Sequence, residues 1–322
     1  MLKLIGLFIL ALAVVLTALA FIPLPTLHPM PKSTQAPDAG SPEICPDCVS
    51  ITMDHGQPTE IVYVLLHGIT NCPVQFRKFG DLLFAQGANV FIPRMPYHGY
   101  ADRMTDAQKN FTAQVMLDEA NRAIDHAKTL GKRVVVVGLS VNGTTAGWVA
   151  QHRADVDSVA LFAPFFSPLG KPNWLIAPLA NGFTRLPNFF VWWDPRQKEN
   201  LAGSPHSYPR FATHSLAGTL KLGLEVFADA RRRPPMVRKI LVVTSGSDLA
   251  INNRRVDELV ALWERSAPGK VITYHFPAEL RVPHDFMDPA QVDQQIEIAY
   301  PVLIDLLKKL TASAPQNQSP NQ

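Results

Sequence analysis

The chain has 322 residues, 47% of them apolar and 18% charged, and its 30 basic and 27 acidic side chains leave a formal charge of +3. That length allows about two domains, or one large α/β domain with an insertion, and the apolar content excludes wholesale disorder. The near-balanced charge, with no basic run beyond residues 231–233, gives no nucleic-acid footprint, and three cysteines are too few for a disulfide scaffold.

Behind Lys3, residues 4–22 form an apolar run of 19 residues. As a helix it measures about 28 Å, close to the hydrocarbon thickness of a bilayer. Residues 1–22 are therefore expected to be a transmembrane anchor or a signal peptide, with Ala18-Leu19-Ala20 offering a small-x-small cleavage site. Lys3 on the amino side predicts that the remainder lies on the non-cytoplasmic side, membrane-anchored through the helix or secreted if the helix is removed. Residues 23–50 hold seven prolines and are expected to be an extended tether. Residues 311–322 are polar and predicted to be a disordered tail.

Between them strands and helices alternate. Strands are predicted at 61–66, 89–92, 133–137, 158–162, 239–243 and 270–275, the apolar ones of the kind buried on both faces of a parallel sheet. Helices are predicted at 76–86, with Phe76, Phe79, Leu82 and Leu83 on one face, and at 113–130, 141–153, 216–230 and 253–266. This pattern predicts an α/β fold with a doubly wound, mostly parallel sheet, its core made of residues 51–165 and 237–310. Residues 166–236 break the rhythm with Trp174, Phe183, Phe189, Phe190, Trp192 and Trp193 among prolines and glycines. A structureless loop of that length is not expected in a compact domain, so the segment is read as an inserted subdomain. It either packs a small core of its own or forms a lid over a substrate pocket, with Trp174, Phe189 and Trp192 as the candidate substrate-facing aromatics.

The chemistry centres on Gly138-Leu139-Ser140-Val141-Asn142-Gly143, between the strongest strand and a helix. A serine at such a turn projects its hydroxyl clear of the sheet, and the amide of Val141 at the helix start is free to hold an oxyanion. A hydroxyl needs a base, and the base needs an orienting group. Asp248 and His284 follow later strands, where sites in open α/β sheets gather, and the order Ser140, Asp248, His284 suits a nucleophile–acid–base set. Asp257, inside a predicted helix, is the poorer acid. His67-Gly68-Ile69-Thr70 ends the first strong strand; the Ile69 amide is a second oxyanion donor, and His67 is expected to brace the loop.

Residues from 62 to about 310 resemble the α/β-hydrolase superfamily, and most of all its serine lipases, monoacylglycerol-lipase-like esterases and serine aminopeptidase-type hydrolases. The matching pieces are His67-Gly68, Pro96-Tyr97-His98-Gly99, Gly138-x-Ser140, Gly246-Ser247-Asp248 and His284, with Tyr208-Pro209-Arg210-Phe211 similar to a lid segment. The resemblance implies Ser140 as nucleophile, His284 as general base, Asp248 as its orienter, and Ile69 and Val141 as oxyanion donors. It departs from the family at Asn142, where glycine is usual, so the Asn side chain must find room beside the turn. No spacing among the remaining histidines suggests a metal and no Gly-rich phosphate loop follows a strand, so neither metal nor cofactor is expected.

The expected function is hydrolysis of esters with an acyl or otherwise apolar portion, the substrate being a small ester or lipid. Three rivals stand beside it. An aminopeptidase would need an acidic pair such as Asp194 and Glu199 to hold an ammonium; an acyltransferase would pass the acyl group to an alcohol; a catalytically silent envelope protein would use the fold for binding. Cys45-Pro46-Asp47-Cys48 is expected to close a local disulfide, with Cys72 a partly buried thiol.

Overall fold

The structure, a computed structural model, describes residues 43–312 together with Val15, Ala18 and Ile22. The expected anchor or signal peptide, most of the tether and the tail beyond residue 312 lie outside the described residues. Among those described, no helix is long and apolar enough to cross a membrane.

Seven strands form the main sheet: β1 (Ile51–Met53), β2 (Thr59–Leu66), β3 (Asn89–Ile92), β4 (Gly131–Leu139), β5 (Ser158–Phe162), β8 (Lys239–Ser245) and β9 (Val271–Phe276). Their order is β1-β3-β2-β4-β5-β8-β9, with β1 antiparallel to β3 and all other neighbours parallel. The valine, leucine and isoleucine runs of β2, β4, β5 and β8 are buried on both faces, as parallel strands sandwiched by helices must be. The described residues also hold seven longer α-helices: α1 (Val74–Ala85), α2 (Ala113–Ala127), α3 (Val141–His152), α4 (Asn173–Arg185), α5 (Thr213–Arg232), α6 (Asn253–Ser266) and α7 (Ile296–Thr311). Adjacent residues of β5 mark the two layers. Leu161 lies against Gly147 of α3, while the Phe162 ring meets Phe79 of α1, which in turn meets Tyr300 of α7.

Four features differ from the sequence expectation. Leu82 is exposed, because on α1 the inward stripe is Phe76, Phe79 and Leu83, and a residue six places after Phe76 falls off it. The segment 166–236 is not one subdomain. Its second half, α5, packs along α3 and is the crossover helix between β5 and β8, leaving α4 and a two-stranded antiparallel pair, β6 (Phe190–Trp192) with β7 (Arg210–Ala212), as the insertion proper. α7 was masked in the sequence by Pro301, which lies inside it.

The fourth concerns the cysteines. The end of the expected tether folds onto the body: Ile44 bridges to Tyr100, and the Cys45 N–H donates to the Gly99 carbonyl at 2.9 Å. The short turn Pro46–Cys48 then directs Cys48 inward, where it forms a disulfide with Cys72 at a Cα–Cα distance of 5.4 Å. Cys45 is the free thiol, so the expected Cys45–Cys48 bridge is corrected, and Cys72 is no thiol at all. Gly99 is where this closure needs space, since a Cβ there would stand 2.8 Å from that of Cys48. Alkylation of the denatured, unreduced protein is expected to label Cys45 alone by peptide mass mapping. Cys72→Ser is expected to lower unfolding stability by about 2–4 kcal/mol in a denaturant titration.

Candidate active site

Ser140 sits between β4 and α3 with φ 58° and ψ −116°, a conformation that L-residues rarely adopt. The turn closes because Gly138 and Gly143 carry no side chain where neighbouring backbone fills the space. A Cβ on Gly138 would lie 1.9 Å from the Asn142 carbonyl oxygen, and one on Gly143 would lie 2.9 Å from Pro164 Cα. The strained backbone is held from β5: Ser140 N–H donates to the Phe162 carbonyl (2.9 Å), and the Ser140 carbonyl accepts from Phe165 N–H (3.0 Å).

The three residues predicted to work together meet. His284 Nε2 stands 2.9 Å from Ser140 Oγ, and His284 Nδ1 stands 2.6 Å from Asp248 Oδ2. A carboxylate only accepts, so Nδ1 carries the proton and the Nε2 lone pair faces the serine hydroxyl. Asp248 is itself oriented, its Oδ1 accepting the Ala250 and Ile251 N–H groups. The acid and base loops are joined by Ser245 and Ser247, whose hydroxyls both donate to the Val282 carbonyl (2.6 and 2.7 Å). Burial pushes the His284 pKa down, but the charge and hydrogen bond of Asp248, with the charge of Asp285 behind them, outweigh it and leave the pKa raised above 6.5. Asp257 is exposed on α6 and takes no part.

Around the His67-Gly68-Ile69 loop nearly every polar group has a partner. In the His67–Gly68 peptide the carbonyl accepts from Asn142 Nδ2 (2.6 Å) and the N–H donates to Gln75 Oε1 (2.7 Å). The Gly68 carbonyl accepts from Asn71 N–H and from His67 Nδ1, and the Ile69 carbonyl accepts from His98 Nε2 and Gln108 Nε2. His67 braces the loop as expected, its Nε2 accepting the Met95 N–H. Burial, and then nearby His98, drive its imidazole well below the ordinary pKa, so it is neutral. The amides of Ile69 and Val141 have no partner among the described residues, and Val141 opens α3, where the helix dipole favours negative charge.

Ile69, Ser140 and His284 line a cavity of about 760 Å³, with Trp193, Leu249 and Val292 also in its wall. The predicted aromatics Trp174, Phe189 and Trp192 do not line it; Trp193 does. Strand alternation explains the shift by one residue. Phe190 and Trp192 share a face of β6 and lie under the Arg210 guanidinium, 4.0 and 6.0 Å from its carbon, so the next residue faces the other way. Trp193 donates its indole N–H to Thr70 Oγ1 (3.0 Å) and leans on Phe211. Asp194 reaches the cavity but is paired with Arg196 (3.1 Å), and Glu199 is not part of the wall.

A polar network behind His284 was not foreseen. Asp285 Oδ2 accepts from Gln75 Nε2 (2.7 Å), Gln291 Nε2 (3.1 Å) and, at 3.5 Å, Asn71 Nδ2. Its Oδ1 accepts the Met287 and Asp288 N–H groups. Burial, then the charge of Asp288, push the Asp285 pKa up. Burial also opposes ionisation of Asp288, but His206 (2.9 Å), the Ala290 N–H and Asn71 prevail and hold its pKa below the usual value. The only sequence signal was Asp285 standing next to His284; amide side chains such as Gln75 follow no motif.

The family model for the alpha/beta hydrolase fold matches residues 62–272. The chain belongs to the α/β-hydrolase family. Its fold is similar to that of monoacylglycerol lipase from Paleococcus ferrophilus (TM-score 0.61, 15% identity, covering 81% of this chain and 98% of that one). It is also similar to a metagenome-derived lipolytic enzyme of the LipS and LipT pair (0.60, 14%, 83% and 100%). Monoglyceride lipase from Saccharomyces cerevisiae is a third likeness (0.58, 15%, 82% and 92%). A search of curated proteins finds no match. At these identities the likenesses speak to the fold.

In this member of the family Asn142 does find room: it is fully buried, and its Oδ1 accepts from Thr145 Oγ1 at 3.1 Å. Sequence spacing suggested no metal site, yet α3 and α5 bring His152, Glu225 and Asp229 together, their ligand atoms within 4.8 Å of one another. His152 is 3.1 Å from Asp229, Trp148 Nε1 donates to Glu225, and none of the three lines the cavity. The steric limit at the turn is testable. Gly138→Ala is expected to cost more than about 3 kcal/mol, because the added methyl meets backbone that cannot yield; calorimetry should show a Tm lowered by roughly 6 °C or more, or no folded protein.

Proposed function

We propose that this chain hydrolyses carboxylic esters through an acyl-enzyme on Ser140. The observation that carries the reading is the continuous Ser140–His284–Asp248 hydrogen-bond chain at 2.9 and 2.6 Å. In the proposed mechanism His284 Nε2 takes the Ser140 proton as Oγ attacks the ester carbonyl, and the oxyanion accepts from the Ile69 and Val141 amides. The imidazolium, steadied by Asp248, returns the proton to the leaving alkoxide. A water, deprotonated by the same imidazole, then releases the acid. No step calls on a cofactor.

The substrate reading follows from the wall. Leu249 and Val292, 81% and 97% exposed, line the cavity together with Trp193, which suits an ester with an apolar acyl portion. The lipolytic relatives in fold support the same class. An aminoacyl substrate is less suited, because Asp194 is already paired and would have to give up Arg196 to hold an ammonium. On this reading the insertion around β6 and β7 is the cap over the cavity, and the apolar run at 4–22 supports a hydrolase on the non-cytoplasmic side, anchored through that run or secreted once it is removed.

With p-nitrophenyl butyrate, Ser140→Ala and His284→Ala are each expected to lower kcat/KM by about 10⁴-fold or more, and by similar amounts because the two act as a unit. Wild-type turnover in Ser140→Ala would refute the mechanism. The base must be neutral, and its pKa is raised, so the acid limb of kcat/KM is expected to have its midpoint above 6.5. Asp248→Asn is expected to move that limb to lower pH while reducing the plateau rate.

A further inference from the structure

We propose that Asn142 and Gln75 are positioning residues that clamp the His67–Gly68 peptide from both ends and so aim the Ile69 amide, with Asp285 orienting Gln75. The proposal rests on the ester-hydrolase reading and deepens it.

The Ile69 N–H belongs to the Gly68–Ile69 peptide, and its direction is set by rotation about the Gly68 backbone, where no Cβ restrains it. The preceding peptide is the natural place to hold that rotation. Its carbonyl is taken by Asn142 Nδ2 at 2.6 Å and its N–H by Gln75 Oε1 at 2.7 Å. A side-chain amide could flip and present the wrong end, but here each amide faces a partner that can play only one role. The His67 carbonyl only accepts and so takes the Asn142 NH₂, which leaves Asn142 Oδ1 to accept from Thr145 Oγ1. Asp285 Oδ2 accepts from Gln75 Nε2 at 2.7 Å, leaving the Gln75 oxygen for the N–H. All five contacts on the Asp285 carboxyl group are donors, and together they hold it where Oδ2 accepts from Gln75 Nε2.

Both amides are almost wholly buried, so neither competes with water for its partner. The three come from three different places. Asn142 is in the first turn of α3, two residues after the nucleophile; Gln75 is in the first turn of α1; Asp285 follows the base. The oxyanion loop is thereby registered against both the nucleophile and His284. Asn142, which stands where glycine is usual, is on this reading a gain of a contact rather than a defect of the turn.

Isosteric variants separate positioning from packing. Gln75→Glu keeps an oxygen for the Gly68 N–H but sets carboxylate against carboxylate. Adding Asp285→Asn restores a donor–acceptor pair, the amide introduced at position 285 now being the donor. Gln75→Glu and Asn142→Asp are expected to lower kcat on p-nitrophenyl butyrate by roughly tenfold to a hundredfold, as misplacing an oxyanion donor does, with KM changed less than about twofold. Their Ki for an alkyl trifluoromethyl ketone, whose adduct places an oxyanion in the same spot, is expected to rise in proportion to the loss in kcat/KM. The double variant Gln75→Glu/Asp285→Asn is expected to recover kcat to within a few-fold of wild type, compared on the pH plateau of each. Unchanged kcat in Gln75→Glu and Asn142→Asp, losses confined to Tm or KM, or no recovery in the double variant would overturn the clamp. Ser140→Ala, run alongside, distinguishes the two levels: if it is inactive while Gln75→Glu is unaffected, the clamp alone fails, whereas full activity in Ser140→Ala fails the reading beneath it.

Discussion

The site depends on one steric fact: β4 turns into α3 at Ser140 with no space for a side chain at residue 138. The Asn142 carbonyl occupies that volume, so only glycine at 138 permits the tight turn in which Ser140 takes positive φ. Such strain persists only where the surroundings over-determine it. Here β5 does so. Its last residue accepts the Ser140 N–H, Phe165 donates to the Ser140 carbonyl, and Ala163, itself at φ 40°, donates its N–H to Val243 on β8. The bend is thus anchored across two neighbouring strands rather than stored in one residue.

The parallel sheet supplies the rest of the convergence. Because β2, β4, β8 and β9 run the same way, the loops after them open at one end, and their lengths bring residues 69, 140, 248 and 284 together. Parallel order alone would leave those loops free to drift. Ser245 and Ser247 bind the acid loop to the base loop at the Val282 carbonyl, and the amides of Asn142 and Gln75 bind the loop at residues 67–69 to its neighbours. Electrostatics then divides the histidines. His67, wrapped in apolar surroundings near His98, is held neutral and structural, while His284, equally withdrawn from water, keeps its affinity for a proton because Asp248 faces it.

What the sequence made legible was whatever repeats with a period or follows a strand. The β-branched runs located six strands of the main sheet, and Ser140, Asp248 and His284 stood out because each follows such a run in the order that the fold requires. β1 was illegible because three residues show no alternation. α5 was misplaced in the insertion because amphipathic periodicity tells that a helix packs, not what it packs on. The disulfide was misassigned because a three-residue spacing suggests proximity, whereas partners are chosen by which side chain the turn buries. The cavity wall was wrong by one residue, since an aromatic run such as Trp192-Trp193 names the composition of a surface, and only the strand's pleat decides which ring faces it.

The insertion is also joined mechanically to the loop at residues 67–70. Tyr208 donates its N–H to the Thr70 carbonyl at 2.7 Å, and Trp193 donates to the Thr70 hydroxyl. Both bonds land on the residue next to Ile69. The Tyr208 hydroxyl in turn accepts the Tyr100 N–H and donates to the Tyr97 carbonyl, on either side of His98, which holds the Ile69 carbonyl. Trp193, which lines the cavity, and Tyr208, which does not, therefore share hydrogen bonds with the loop that carries the Ile69 amide. The exposed side chains of Leu249 and Val292 make no such bonds, so substitutions at the rim leave the hydrogen bonds of the loop intact, whereas Tyr208 and Trp193 are held to its geometry.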